Sequence, residues 1–162
     1  RLLEGELDLV LLALPYELKN TETLELFDDR FLLACRDGSA LVDPERYRFN
    51  RLDAESVLLL EDGHCLRDHA LEACKIRSTE KLSRFSANSL LTLVEMVDAD
   101  LGVTFLPEMA RGSVLLRNTR VKLYPLEKRS LRTIGLIWRK GSSRTEEFAL
   151  LGDFIKDNAP AQ

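Results

Sequence analysis

Apolar runs too short for helices alternate along this chain with segments whose apolar residues return every three to four positions, a pattern that few folds satisfy. Residues 7 to 14 (LDLVLLAL) read as a strand covered on both faces, as in a parallel sheet. Residues 24 to 36 (LELFDDRFLLACR) continue as extended chain and stop at Asp37-Gly38. A polar connection opened by Asp43-Pro44, with a helical turn near Leu52, leads to a third strand at Val57 to Leu60. Residues 65 to 75 then read as helix, Arg84 to Ser86 as a short strand, and Ser89 to Ala99 as a helix burying Leu90, Leu93, Val94 and Val97. Strands follow at Val103 to Leu106, Val121 to Tyr124 and Leu131 to Trp138. A last helix opens on the capping-box pair Ser143 and Glu146 and should bury Phe148, Leu151, Phe154 and Ile155. The expected class is α/β with mostly parallel sheets.

A chain of 162 residues that is 45% apolar can bury a core as one domain or two small lobes. Its net charge of −4 and pI near 5.3 give no broad positive field, so any contact with a phosphate backbone is expected from another segment. The first residues run straight into an apolar strand without a starting Met, which reads as a piece of something longer. No run of 18 apolar residues and no leader pattern is found, and the expectation is a cytoplasmic protein with no membrane association. In that compartment thiols are kept reduced, so a disulfide among the three cysteines would be transient.

One stretch carries chemistry: Gly63-His64-Cys65-Leu66-Arg67-Asp68-His69-Ala70-Leu71-Glu72-Ala73-Cys74 puts two cysteines nine positions apart at the ends of one expected helix. Nine steps turn about 900° and rise roughly 13 to 14 Å, so the side chains leave on opposite faces. A disulfide needs Cα atoms within about 7 Å, so this pair can bond only if the helix unwinds. Leu66, Ala70, Ala73 and Cys74 fall on an apolar stripe, while Cys65, Asp68, His69 and Glu72 fall on a mostly polar one. Cys74 should therefore pack as a small hydrophobe and Cys65 should face a cleft or solvent. At the helix start, after Gly63 and close to His64 and Arg67, Cys65 sits where a thiolate is favoured. Asp68 is placed to cap the helix start or to orient Arg67.

Plainer readings stand beside this one. Paired cysteines often only fill a core, His64 alone suits a loop hydrogen bond, and Arg67 alone suits a paired surface group. A zinc site from His64, Cys65, His69 and Cys74 is disfavoured because Cys74 projects away and no CxxC pair is present. Cys35, inside an apolar strand, reads as inert packing.

The string LLLEDGHCLRDHALEAC resembles the redox segment of the OxyR family, the hydrogen-peroxide-sensing activators among the LysR-type transcriptional regulators. LELFDDRFLLAC, SLLTLVEMVDADLGVTFLP and LRTIGLIWRKGS match further family stretches in order, so the resemblance covers nearly the whole chain. It implies a two-lobed regulatory domain of periplasmic-binding-protein type: a first lobe, partial here, from residues 1–29 and 131–162, and a second from residues 30–130 that carries the redox helix. The crossings would lie near Leu26 to Phe31 and Leu126 to Arg132. By resemblance Cys65 is the peroxide-reacting cysteine and Cys74 the resolving one. His64, Cys65, Arg67, Asp68 and Arg132 form the peroxide pocket. His69, Glu72 and Asn88 depart from the family's best-known pattern.

The resemblance further implies a sensor of oxidative stress and not an enzyme, with no cofactor and no metal. Its implied partners are hydrogen peroxide, a second and further copies (homodimer or homotetramer), RNA polymerase, and a thiol reductant such as glutaredoxin or thioredoxin. DNA would be bound through an N-terminal winged helix-turn-helix outside this chain. Two rivals remain: a LysR-type domain responding to a small organic ligand, with incidental cysteines, and a thiol peroxidase, which the lack of a CxxC motif weighs against.

Overall fold

A computed structural model describes residues 1–16, 18–76, 79–126 and 130–159. The elements in chain order are β1 (Leu9–Leu14), β2 (Thr21–Arg36), β3 (Val57–Leu60), α1 (Cys65–Ala73), β4 (Leu82–Ala87), α2 (Leu90–Asp98), β5 (Thr104–Pro107), β6 (Val121–Pro125), β7 (Leu131–Arg139) and α3 (Thr145–Asp157). They form two compact units: one from Arg1–Asp29 with Arg132–Gln162, the other from Arg30–Leu131. The expected crossing at 126–132 includes residues 127–129, which lie outside the described residues.

In the second unit, β3 and β4 pair in parallel, and Val57 bridges Val103 in parallel just before β5. α1 and α2 are the two connections between these strands, and a helical crossover returns the chain in its original direction. β2 is antiparallel to β5 along one edge and to β6 along the other. Helix-strand alternation alone misleads there, because β2 and β6 are not joined to their partners by a helical crossover. The sheet is therefore less parallel than the sequence pattern suggests.

All four residues of β3 are buried, and alternation sends them to two cores. Leu58 and Leu60 pack with Leu93, Val94 and Val97 of α2, whose start is capped by Ser89 accepting from the Thr92 amide at 3.2 Å. Val57 and Leu59 pack with Phe31, Leu33, Cys35, Phe105 and Ala70 of α1. This second core is what seats the cysteine-bearing helix.

The first unit corrects three expectations. β1 pairs antiparallel with β7, and its faces are not both covered: Leu11 is 53% exposed. α3 starts at Thr145 with Arg144 in the cap position and no side-chain cap, so the Ser143–Glu146 box does not form. The Arg144 guanidinium lies over the Phe148 ring and pairs with Asp8 and Glu147 instead. α3 buries Phe148 and Gly152, and Ile155 packs on the same cluster, whereas Leu151 and Phe154 face outward. Gly152 sets that face, since a side chain there would run into Leu24.

Gly102 leads into β5 with no space for a side chain: an added Cβ would lie 2.7 Å from both Leu58 Cγ and the Ser56 carbonyl. Gly102→Ala should lower stability by about 1–3 kcal/mol through overpacking. Urea unfolding measures this, and an unchanged midpoint would show that β3 can yield.

Candidate functional site

β3 delivers the chain to a tight turn whose Gly63 has φ +91°, a conformation that glycine adopts without penalty. The Glu61 amide donates to the Ala87 carbonyl at 3.0 Å, fixing the turn against the end of β4. His64 occupies the cap position of α1 without a side-chain cap bond, and Cys65 is the first helical residue and exposed. Arg67 supplies the order that a cap would give. Its Nη1 donates to the Leu60 carbonyl at 3.1 Å and its Nε meets Asp62 at 2.9 Å.

Four expected pocket residues, His64, Cys65, Arg67 and Asp68, thus share the first turn of α1. Arg67 takes Asp62 as its carboxylate partner rather than Asp68, because its side chain folds back over the turn that precedes the helix. Asp68 is exposed and His69 is half-buried, where the helical stripe had placed both toward solvent. Arg132 belongs to the other unit, where its Nε and Nη2 lie 3.1 and 2.9 Å from Oδ2 of the buried Asp29.

The far end of α1 closes on a Schellman motif. The Lys75 amide donates to the Glu72 carbonyl at 3.0 Å and the Ile76 amide to the Leu71 carbonyl at 2.9 Å. Lys75 holds the left-handed position at φ +53° that glycine usually takes, at a cost of roughly 1–2 kcal/mol. A nine-residue helix is shorter than isolated helices need to persist in water. Its stability comes from one side, where Leu66, Ala70, Leu71, Ala73 and Cys74 meet the core.

Cys74 is the last of these contacts. Burial pushes its thiol up to about 12, and a hydrogen bond with Ser130 acts weakly the other way. Tyr47 beside it is also raised, first by burial and then by the negative charge Cys74 would carry. Cys35 is buried, its thiol lifted to about 11 mainly by burial, as inert packing requires. Among the described residues no cluster of His, Cys, Asp or Glu could hold a metal. No described helix is long and apolar enough to cross a membrane.

One feature escaped the sequence. Cys74 forms part of the wall of a pocket of about 420 Å³, with Tyr47, Phe49, Phe105 and Ser130. These residues come from four separate segments, and no local pattern joins them.

Residues 1–160 match the family described as LysR substrate binding domain. The HTH-type transcriptional regulator EstR of Acinetobacter baylyi is 38% identical over 157 residues, covering 96% of this chain and 52% of the relative. The DNA-binding transcriptional dual regulator OxyR of Escherichia coli K12 is 37% identical over 152 residues, covering 94% and 50%. The chain spans about half the length of these curated relatives. The reduced form of the OxyR2 regulatory domain of Vibrio vulnificus superposes with a TM-score of 0.88 at 40% identity, covering 96% of this chain and 74% of that one.

The folded Cys74 thiol titrates above the ordinary value of about 9, so both states are protonated below that pH. Above it the unfolded chain loses its proton first, and stability falls as pH rises from about 9 toward about 12. Urea unfolding under reductant at pH 7 and pH 10 should show a smaller fall in Cys74→Ala than in the parent. Equal falls would mean that this thiol is not buried.

Proposed function

The chain belongs to the LysR substrate-binding-domain family, and from that membership we propose that it is the peroxide-sensing regulatory part of an OxyR-type transcriptional regulator. The observation that carries this reading is the placement of the two sulfurs: Cys65 exposed on the first turn of α1, Cys74 half-buried at its last, with a helix of rise roughly 13–14 Å between them.

The chemistry runs in two steps. The Cys65 thiolate attacks one oxygen of hydrogen peroxide; an S–O bond forms, the O–O bond breaks, and the leaving hydroxide takes a proton to become water. Cys65 is then a sulfenic acid. Cys74, released from its packing and deprotonated, attacks that sulfur; the S–S bond forms, the S–O bond breaks, and a second water leaves. Two thiols are oxidised by two electrons and one peroxide is reduced to two waters.

The second step cannot occur on the intact helix, since a disulfide brings the two Cα atoms within about 7 Å. Residues 64–75 must refold, and this refolding is the two-state element that changes subunit arrangement and DNA contacts. Arg132, which the resemblance alone assigns to the pocket, has its guanidinium fixed by Asp29 within its own unit. The acidic balance of the chain agrees with DNA being held by a winged helix-turn-helix outside it. Homodimers or homotetramers, RNA polymerase, and glutaredoxin or thioredoxin as reductant complete the cytoplasmic cycle. A purely ligand-responsive domain is the second reading, favoured by the pocket beside Cys74.

Thiol counting after one equivalent of peroxide separates the two readings. The count should fall from three to one in the parent, and no intramolecular disulfide should form in Cys65→Ser or Cys74→Ser. Helical circular dichroism should fall with it. An unchanged count in the parent overturns the sensor reading and leaves the ligand-responsive one.

A further inference from the structure

Tyr47, Phe49 and Phe105 give the pocket beside Cys74 an apolar, aromatic interior, with Tyr47 meeting Phe105 edge to face at 6.2 Å between ring centres. Arg48 and Lys75 stand exposed at its rim, the Arg48 guanidinium oriented by a 3.1 Å hydrogen bond to the Tyr47 carbonyl. None of the described residues lining it is acidic, although the chain as a whole carries a net charge of −4. Its volume of about 420 Å³ falls within the range of small-molecule sites. An apolar body with one anionic end fits this lining, because the carboxylate would meet the two cations and the body would displace water from the rings.

The pocket also depends on the state of α1. Ala73, Cys74 and Lys75 are its wall on one side, and all three belong to the segment that must unwind before the sulfurs can bond. A ligand seated there touches the helical form and loses that wall in the disulfide form.

We propose that this pocket is a site for a small monocarboxylate with an aromatic or aliphatic body, and that its occupancy holds Cys74 in place and opposes disulfide formation. The regulatory half of this inference rests on the redox reading above. The binding half does not. By linkage, a ligand selective for the helical form lowers the population that can close the disulfide by the factor 1 + [L]/Kd, about tenfold at ten times Kd. Attack of Cys65 on peroxide precedes the unwinding and is left unchanged. The ligand therefore prolongs the sulfenic acid without slowing its formation.

The probe is phenylacetate, with neutral phenylacetamide as its control. Calorimetry on the Cys65→Ser chain, which cannot form the disulfide, reports the site alone. Saturable binding of phenylacetate is expected there, weakened about tenfold or more in Lys75→Gln and in Arg48→Gln, with phenylacetamide binding weakly. In the parent, phenylacetate at ten times Kd should slow disulfide formation about tenfold and increase trapping of the sulfenic acid by dimedone. Absence of saturable binding, or an affinity unchanged from that of the Cys65→Ser chain when either charge is removed, overturns the site. Tight binding with an unaltered disulfide rate overturns the coupling. A parent that forms no disulfide without ligand overturns the redox reading and the coupling with it, while calorimetry still decides the site.

Discussion

A nine-residue helix held from one side is the constraint on which the second unit's behaviour turns. Ala70 is its one fully buried residue, and Leu66, Leu71, Ala73 and Cys74 complete the contact. Little in the helix itself supports it: the cap position holds His64 with no side-chain bond, and the C-terminal turn rests on a lysine in the left-handed region. Most helical stability in proteins comes from such packing and not from propensity. For a segment of this kind, the core contact is the principal thing that unwinding would give up.

Much of this was legible from residue order. The Cys65–Cys74 spacing, the apolar stripe between them and the fully buried strand before them all follow from periods of two and 3.6, which sequence displays directly. Strand direction was less legible. The alternation of strands and helices accounts for the parallel pairing around β3, but β2 and β6 reach their partners without a helical crossover. The outer face of α3 was misplaced for a local reason. Counting apolar residues assigned Phe154 inward, whereas the absence of a side chain at Gly152 lets the helix approach Leu24 along a different line.

The arginines show a different limit. Sequence offered Asp68 as a partner for Arg67 and overlooked Asp62, because the pairing depends on how sharply the chain turns at Gly63. Arg132 and Asp29 are separated by most of the chain and meet through the pairing of long strands. Asp29 is nearly inaccessible, so losing the guanidinium would weaken the charge balance of a buried carboxylate and lower the stability of that unit. Any effect of removing Arg132 on peroxide chemistry is therefore entangled with the stability of its own unit.

The division of labour proposed for the sulfurs rests on their surroundings. Burial keeps Cys74 protonated at neutral pH, and a protonated thiol is a poor nucleophile. In the proposed role of resolving a sulfenic acid, it would first have to leave its place beside Tyr47 and Ser130 for water, where the penalty of burial is lifted. In the proposed switch, unwinding would bring the sulfurs together and activate the second one, so the step that changes shape would also be the step that permits the chemistry. Because the same sulfur forms part of the wall of the aromatic pocket, the ligand proposed for that pocket would act on distance and on reactivity at once.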